Sequence, residues 1–530
     1  MEDKNYVINE SSFEFAQLDA NIHDMKFDTK PIGYMRDAFR RFCKNKGSVV
    51  AACIIFILIL FAIFAPIFSP YKLEDRDNVY LNRAPFLKAF RNAGFWDGGR
   101  NLTDLNDNKF QFYRAIFTET GMNPVLKVTN ENEVSGKNGT TISRNVRINT
   151  YYSVGVVIKT LSKEEFDAIC KYQNEHDIQI LYPYVDYKDL GYSSKDFQLQ
   201  LYEKMQQRTE GGNYWFKMTP EGQPYFDSNG NFIPAYTIMP KSGRKRAHYP
   251  EYDSKRISSD PYDPANNVEG YAYGTKVDGG IKVRLCYWNY YTYINGHEPS
   301  YIFGTEQYGR DMLTCMGKGA RFSLLLALCV SLINLTLGTI YGAIEGYYGG
   351  AVDMILERIS DILSAIPMMI VVTLFNLHLA RKTGVVPAFI LAFIATGWIG
   401  MAALVRKQFY RFKNQEYILA ARTLGAKDLS LMFRHILPNS IGTIVTSCVL
   451  VIPGVIGSET MLTYLNIVNL ESDKVSSIGA LMQQGQNSLL TSPHVLLFPA
   501  LFLALLMISF NLFGNGLRDA FNPSLRGSEE

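Results

Sequence analysis

The sequence predicts an all-α polytopic membrane core of six transmembrane helices, with an α+β domain inserted between the first helix and the second. Three observations carry this. Long apolar runs occur near residue 50 and again after residue 321, roughly 230 polar residues rich in Tyr and Asn separate them, and Lys and Arg gather in two short stretches. The 47% hydrophobic content and the mean hydropathy of -0.04 therefore average two unlike populations of sequence.

A hydrocarbon core about 30 Å thick needs about 20 largely apolar helical residues, because only a backbone hydrogen-bonded within itself is stable there. Six segments meet that demand: Ser48–Phe68, Phe322–Ile344, Ile362–Leu379, Pro387–Val405, Ile441–Ser458 and Val495–Leu517. The first has a long polar lead and no good small-residue cleavage site, so it is expected to stay attached rather than act as a signal peptide. Arg36, Arg40, Arg41, Lys44 and Lys46 precede that helix, and Arg406, Lys407, Arg411, Lys413, Arg422, Lys427 and Arg434 lie between the fourth and fifth. Basic residues mark the cytoplasmic side, so both termini and the basic loop are expected in the cytoplasm and the insert outside. The resulting division is a cytoplasmic segment 1–46, a first helix 47–69, an extracellular domain 70–300, an external segment 301–320, a core 321–517 and a cytoplasmic tail 518–530.

A net charge of +3 without a basic, aromatic-interleaved stripe argues against nucleic acid. No phosphate-cradling G-x-x-x-x-G-K-[ST] loop occurs, so ATP would have to be bound by another protein. Glu345, Asp361 and Glu459 fall at the ends of predicted spans, which disfavours an ion-coupled transporter. The seven cysteines lack metal-ligand spacing, and neither a metal site nor a catalytic constellation is expected. Cys170 and Cys286 lie in the insert and could pair if it faces an oxidising exterior.

The basic loop, residues 406–439, reads as two short helices with a bend. Helix formers run from Glu416 to Leu424, Gly425 can take the left-handed closing conformation, Asp428 can cap a second helix, and Pro438 can open the fifth span. The pattern E-x-x-x-A-A-x-x-x-G followed by I-L-P resembles the coupling loop of prokaryotic ABC importer permeases. So do further motifs: Arg40-Arg41-x-x-Lys44-Asn45 before a span ending Phe64-Ala65-Pro66, Phe303-Gly304-Thr305-Glu306-x-x-Gly309-Arg310-Asp311, Gly346-Tyr-Tyr-Gly-Gly350-x-x-Asp353, Ala365-Ile-Pro367, and Phe510-Asn511 through Asp519. These narrow the resemblance to the dipeptide and oligopeptide permease group. Glu306 stands where that group usually has Asp.

The resemblance implies a type I ABC importer permease that catalyses nothing itself and binds no cofactor. Its expected partners are a homologous second permease, two cytoplasmic ABC ATPases carrying ATP and Mg, an extracellular substrate-binding lipoprotein, and membrane lipid. Glu416, Ala420, Ala421, Arg422 and Gly425 would form the element that docks on the ATPase, with Ile436, Leu437 and Pro438 as its hinge to the membrane. Gly309, Arg310, Asp311, Glu459 and Asn511 are candidates for the external face or pathway. Their plainer readings are a turn with paired charges for Gly309 to Asp311, a water-facing helix end for Glu459 and an interhelical hydrogen bond for Asn511. Asp353, Glu357 and Asp361 share one helix face, expected to be solvated. An alternative is import of nickel complexes, glutathione or another small ligand by the same architecture, and an envelope sensor or interaction protein built around the insert is a reading from another class.

The resemblance is silent on the insert. The row from Arg144 to Ile158 suggests one strand, Ser162-Lys-Glu-Glu165 a capping box that opens a helix to about Glu175, and Ile178–Val185 a second strand. Exposed tyrosines over the external mouth would suit an interface with the lipoprotein.

Overall fold

A computed structural model describes residues 34–182 and 274–521, apart from 92, 137–138, 177 and 473–474. The part of the expected strand Ile178–Val185 beyond Tyr182 lies outside the described residues.

Helix α1 (Tyr34–Lys44) leads into α2 (Lys46–Phe68), the first apolar helix. Asn45 separates them because its side chain accepts the Ser48 N–H at 3.2 Å, an N-cap that lets the chain turn and restart. The remaining bundle comprises α6 (Met312–Tyr348), α7 (Gly350–Ser364), α8 (Met368–His378), α9 (Val385–Gly397), α10 (Ile399–Phe412), α11 (Glu416–Thr423), α12 (Leu437–Tyr464), α13 (Ile478–Asn487) and α14 (His494–Phe521). Among the described residues five helices are long and apolar enough to cross a membrane, six if one bent pair counts as a span.

That bent pair corrects the third predicted span. Ile362–Leu379 is not one rod: α7 and α8 meet at 73° across Ala365-Ile366-Pro367. Pro367 offers no N–H to the helix and disfavours helical backbone at Ile366, so the chain breaks there and restarts. The segment 301–320 also divides differently, since α6 already begins at Met312, where the Asp311 carboxylate accepts the Thr314 N–H at 2.9 Å. The hinge expected at Ile436, Leu437 and Pro438 is not a break. A π-helical turn over Leu431–Ile436 runs directly into α12, and Pro438, which has no N–H to give to the preceding turn, stands at the junction.

Between α2 and α6 the insert forms two small sheets. One is antiparallel, β1 (Gly99–Asn106), β3 (Gly139–Asn149) and β2 (Val125–Gly136) in that order, with α3 (Asp107–Thr120) beside it. The other orders β4 (Val156–Leu161), β7 (Gly280–Cys286) and β5 (Leu181–Tyr182), with β6 (Gly274–Val277) also on β7. Strands β4 and β5 flank β7 and are joined by α4 (Lys163–His176), whose capping box closes as predicted: Glu165 N–H to Ser162 Oγ at 3.1 Å and Ser162 N–H to Glu165 at 2.8 Å. The single strand expected from Arg144 is two strands in different sheets. A 3-10 turn at Tyr152–Val154 and Gly155 at φ 63° carry the chain from one to the other.

The insert's tyrosines also depart from expectation. Tyr80, Tyr151, Tyr291 and Tyr301 are buried with Phe86 and Trp288 in one core, which continues into α5 (Tyr287–Asn295). Large, rigid rings fill the space between two small sheets that have little aliphatic core of their own. Cys170 and Cys286 both lie buried in this core and are not joined to each other by a disulfide. Burial pushes the Cys170 thiol up to about 12, so it packs as a small apolar group.

The insert sits firmly on the bundle. Arg83 N–H donates to Thr305 Oγ1 at 2.8 Å, Phe86 and Tyr301 exchange both backbone hydrogen bonds, and Ser492 Oγ donates to the Asn82 carbonyl at 3.0 Å.

Candidate functional site

The end of the bundle away from the insert carries α11 and its surroundings. Helix α11 stops at Gly425, which has φ 84°; Ala426 N–H reaches the Ala421 carbonyl at 3.1 Å and Gly425 N–H the Arg422 carbonyl at 3.0 Å. This paired closure satisfies two of the last carbonyls and needs a left-handed residue at the glycine. Ile418 is buried against Leu431, Met432 and Ile436, which fixes the inner face of α11. Glu416, Ala420 and Arg422 are exposed and Ala421 half-buried. Leu424 and Leu429 project into the open at 88% and 68% exposure.

The short helix is tied to the bundle by a few polar contacts. Tyr347, at the end of α6, donates its hydroxyl to Asp428 at 2.5 Å, and Arg422 lies over the Tyr347 ring at 5.7 Å. Asp428 is thus a tether rather than the cap expected of it; Lys427 holds the cap position. Asn439 donates to the Tyr417 hydroxyl at 3.1 Å.

Beside this tether stands a cluster that sequence reasoning missed. Arg406 on α10 makes two-pronged contacts with Asp353 (2.6 and 2.8 Å) and with Glu357 (2.7 and 3.0 Å), both on α7. Glu345 of α6 lies 3.5 Å from its Nε, and the Tyr410 hydroxyl donates to Asp353. Asp353 is the one buried residue of α7, so the face expected to be solvated is instead a clamp; Asp361 alone remains exposed, beside Arg358 at 3.3 Å. The clamp needs α6 and α10 close together, and three glycines allow it. A Cβ on Gly338, Gly342 or Gly346 would fall 2.8 Å from the Trp398 carbonyl, 2.2 Å from that of Ala402 and 2.7 Å from that of Arg406. Glycine at every fourth residue is the small-residue stripe of close helix packing. That spacing, with Asp353 and Glu357 also four apart, was the available signal.

The other candidates lie elsewhere. At the insert end Arg310 is 1% exposed, with Nε 3.0 Å from Glu306 and Nη2 2.5 Å from Glu471 in the α12–α13 loop. Gly309 has φ 73°, and a Cβ there would lie 1.9 Å from the Asp77 carbonyl oxygen. Glu306 Oε1 also accepts the Tyr308 and Arg310 N–H groups, so the longer acid serves as a local knot. Burial raises the Asp311 carboxyl despite its hydrogen bonds to Thr314 and Ser69, and burial likewise raises Glu471, with Arg310 opposing. Glu459 is not a water-facing helix end. It is fully buried, because α12 runs on to Tyr464, and it accepts from Ser323 Oγ of α6 at 2.9 Å. Asn511 is exposed and donates to Met507 in its own helix, not across to another. No group of His, Cys, Asp and Glu among the described residues could hold a metal ion.

Two family models match the two ends of this architecture. Residues 33–85 match the N-terminal transmembrane domain of oligopeptide transport permease C, and residues 323–527 match the binding-protein-dependent transport system inner membrane component. The oligopeptide transport system permease protein OppC of Bacillus subtilis is 40% identical over 236 residues, 44% of this chain and 76% of that protein. The chain belongs to the oligopeptide permease C family. The chain is also similar to OppC of Haemophilus influenzae, 39% identical over 45% of this chain and 75% of that protein, and to the dipeptide transport system permease protein DppC of Bacillus subtilis, 38% identical over 42% and 69%. Membership makes this a multi-pass membrane permease, and the relatives are transport subunits. Residues 86–322, which contain both sheets, lie outside the two matched regions.

Proposed function

We propose that this permease forms half of the pathway of an ATP-driven peptide importer, with the 406–439 loop as the place where a separate ATPase drives it. A second related permease, two ATPases binding ATP and Mg, and a substrate-binding lipoprotein would complete the assembly. The loop would then lie in the cytoplasm and the insert outside, where the lipoprotein arrives. That contact rests on the insert's position alone, since its described tyrosines are largely buried in its own core.

The observation that carries the reading is the form of α11. It is a short, closed helix with a small-residue surface at Ala420 and an exposed Leu424, anchored through the single buried side chain of Ile418 and, just past its end, through the Tyr347–Asp428 bond. Exposed apolar residues on so short an element suit a cleft in a partner. Motion of α11 would reach α6 through Tyr347 and α12 through the continuous π-helical turn, and so change access between the spans.

Gly425→Val tests this. Nothing lies within 4 Å of the position a Cβ would take, so the cost is the left-handed backbone at φ 84°, about 1–2 kcal/mol for a β-branched residue, local to the end of α11. The variant is expected to insert normally and to lose at least tenfold of ATP-dependent peptide uptake in membrane vesicles. Uptake at the normal rate refutes the role of the loop.

A further inference from the structure

A cavity of about 440 Å³ lies at the foot of the insert, between one side of α5, the turn at residues 75–79 and the Gly309–Asp311 segment. Nothing in the proposed transport cycle uses it. Its size suits a ligand of amino-acid or small-peptide dimensions.

The wall is aromatic and fixed. Tyr71, Tyr287, Tyr290, Tyr291 and Tyr301 line it. Tyr71 and Tyr301 stack at 4.5 Å, and the Tyr291 hydroxyl lies 3.1 Å from that of Tyr71 and 3.0 Å from that of Tyr301. Rings held in this way cannot fold in to close the space. Burial raises the Tyr287 and Tyr291 phenols, so both stay neutral.

Charge at the cavity favours a cation. Asp75, Asp77 and Asp311 line it, but Asp77 Oδ1 already accepts from the Val79 and Tyr80 N–H groups and the Tyr287 hydroxyl, and Asp311 Oδ2 from Ser69 and Thr314; Asp75, exposed at the rim where it accepts the Lys72 N–H at 2.7 Å, is the carboxylate most open to a ligand. Of the two cations, Arg76 places its guanidinium over Tyr308, 5.4 Å from a ring that is not part of the wall. The other, Lys159, is turned onto Tyr290. Its ammonium lies 4.4 Å from the centre of the Tyr290 ring and 2.5 Å from the Tyr290 hydroxyl.

We propose that this cavity binds a compact organic ammonium, such as the α-amino end of a short peptide. Tyrosine rings attract such a group through their electron-rich faces, and carboxylates take its N–H donors in charge-assisted hydrogen bonds. The peptide source rests on the import reading above; the ammonium chemistry does not.

The test is a binding titration of the purified full-length chain in nanodiscs with trialanine, N-acetyl-trialanine and spermidine. Free trialanine is expected to bind, and acetylation of its amine to weaken binding at least tenfold. Asp75→Asn, at an exposed position that leaves the fold intact, is expected to weaken trialanine several-fold. Ile294→Trp, at a cavity position 55% exposed, is expected to fill the space and abolish binding. Tighter binding of trialanine than of spermidine supports a peptide source, and the reverse supports a free polyamine. Equal binding of free and acetylated trialanine, no binding of either amine, or binding unchanged in both variants overturns the proposal. ATP-driven trialanine uptake by the reconstituted complex separates the two ideas. Uptake with acetylation-indifferent binding removes the cavity site alone, and amine-selective binding without uptake removes the import reading alone.

Discussion

Arg406→Met is expected to lower the stability of the bundle by about 2–4 kcal/mol and to stop transport even where the protein still inserts. The substitution keeps much of the side-chain length but deletes both two-pronged contacts, leaving Asp353 buried without its cation and Glu357 and Glu345 beside it. Removing one partner of a buried pair costs about 3–5 kcal/mol, and the 22% exposure of Arg406 brings that down. Helix α7 has no other buried side chain, so its hold on the bundle is mainly this clamp. The measurement is thermal unfolding of the detergent-purified chain, run as a double-mutant cycle with Asp353→Asn; coupling below about 0.5 kcal/mol would show that the clamp carries no stability. Arg358→Ala is the control. Its pair with Asp361 is 76% and 57% exposed, so a change within about 0.5 kcal/mol is expected.

Gly342→Ala is expected to do comparable damage by a different route. The added methyl would sit 2.2 Å from the Ala402 carbonyl oxygen and 2.9 Å from its carbon, both backbone atoms that no rotamer change can move aside. Helices α6 and α10 must part by roughly 1 Å, which also pulls Arg406 away from Glu345. Overpacking of this kind costs about 1–3 kcal/mol or more, and separating the clamp adds to it. Gly400→Ala in α10 is the comparison, because nothing lies within 4 Å of its Cβ position and alanine favours helix. A Gly342→Ala protein as stable as the Gly400→Ala protein would mean that α6 and α10 do not pack this closely.

The two changes also show what could be read in advance. The apolar helices were legible because about 20 uninterrupted apolar residues have few other uses. The α11 ending was legible because Gly425 is one of the few residue types that close a helix in the left-handed region, and the α4 capping box because its two hydrogen bonds are local. Asp353 and Glu357 looked solvated because their sequence neighbours give no sign of a cation; Arg406 comes from another helix, past a break at Pro367. Glu459 looked like a helix end because the apolar run stops at Ser458, whereas the helix itself continues six residues further through polar Thr460 and Thr463.

By itself, then, the sequence determined the elements whose causes are local: the apolar helices, the caps, the closing glycine and the permease motifs. Only the tertiary structure decided how the third predicted span bends, that the insert's described tyrosines form a core around a cavity, that Cys170 and Cys286 stay apart, and that one arginine gathers acids from two helices. The reason is physical. A cap or an apolar run is settled within a few residues, whereas burial and charge pairing depend on groups brought together from distant parts of the chain.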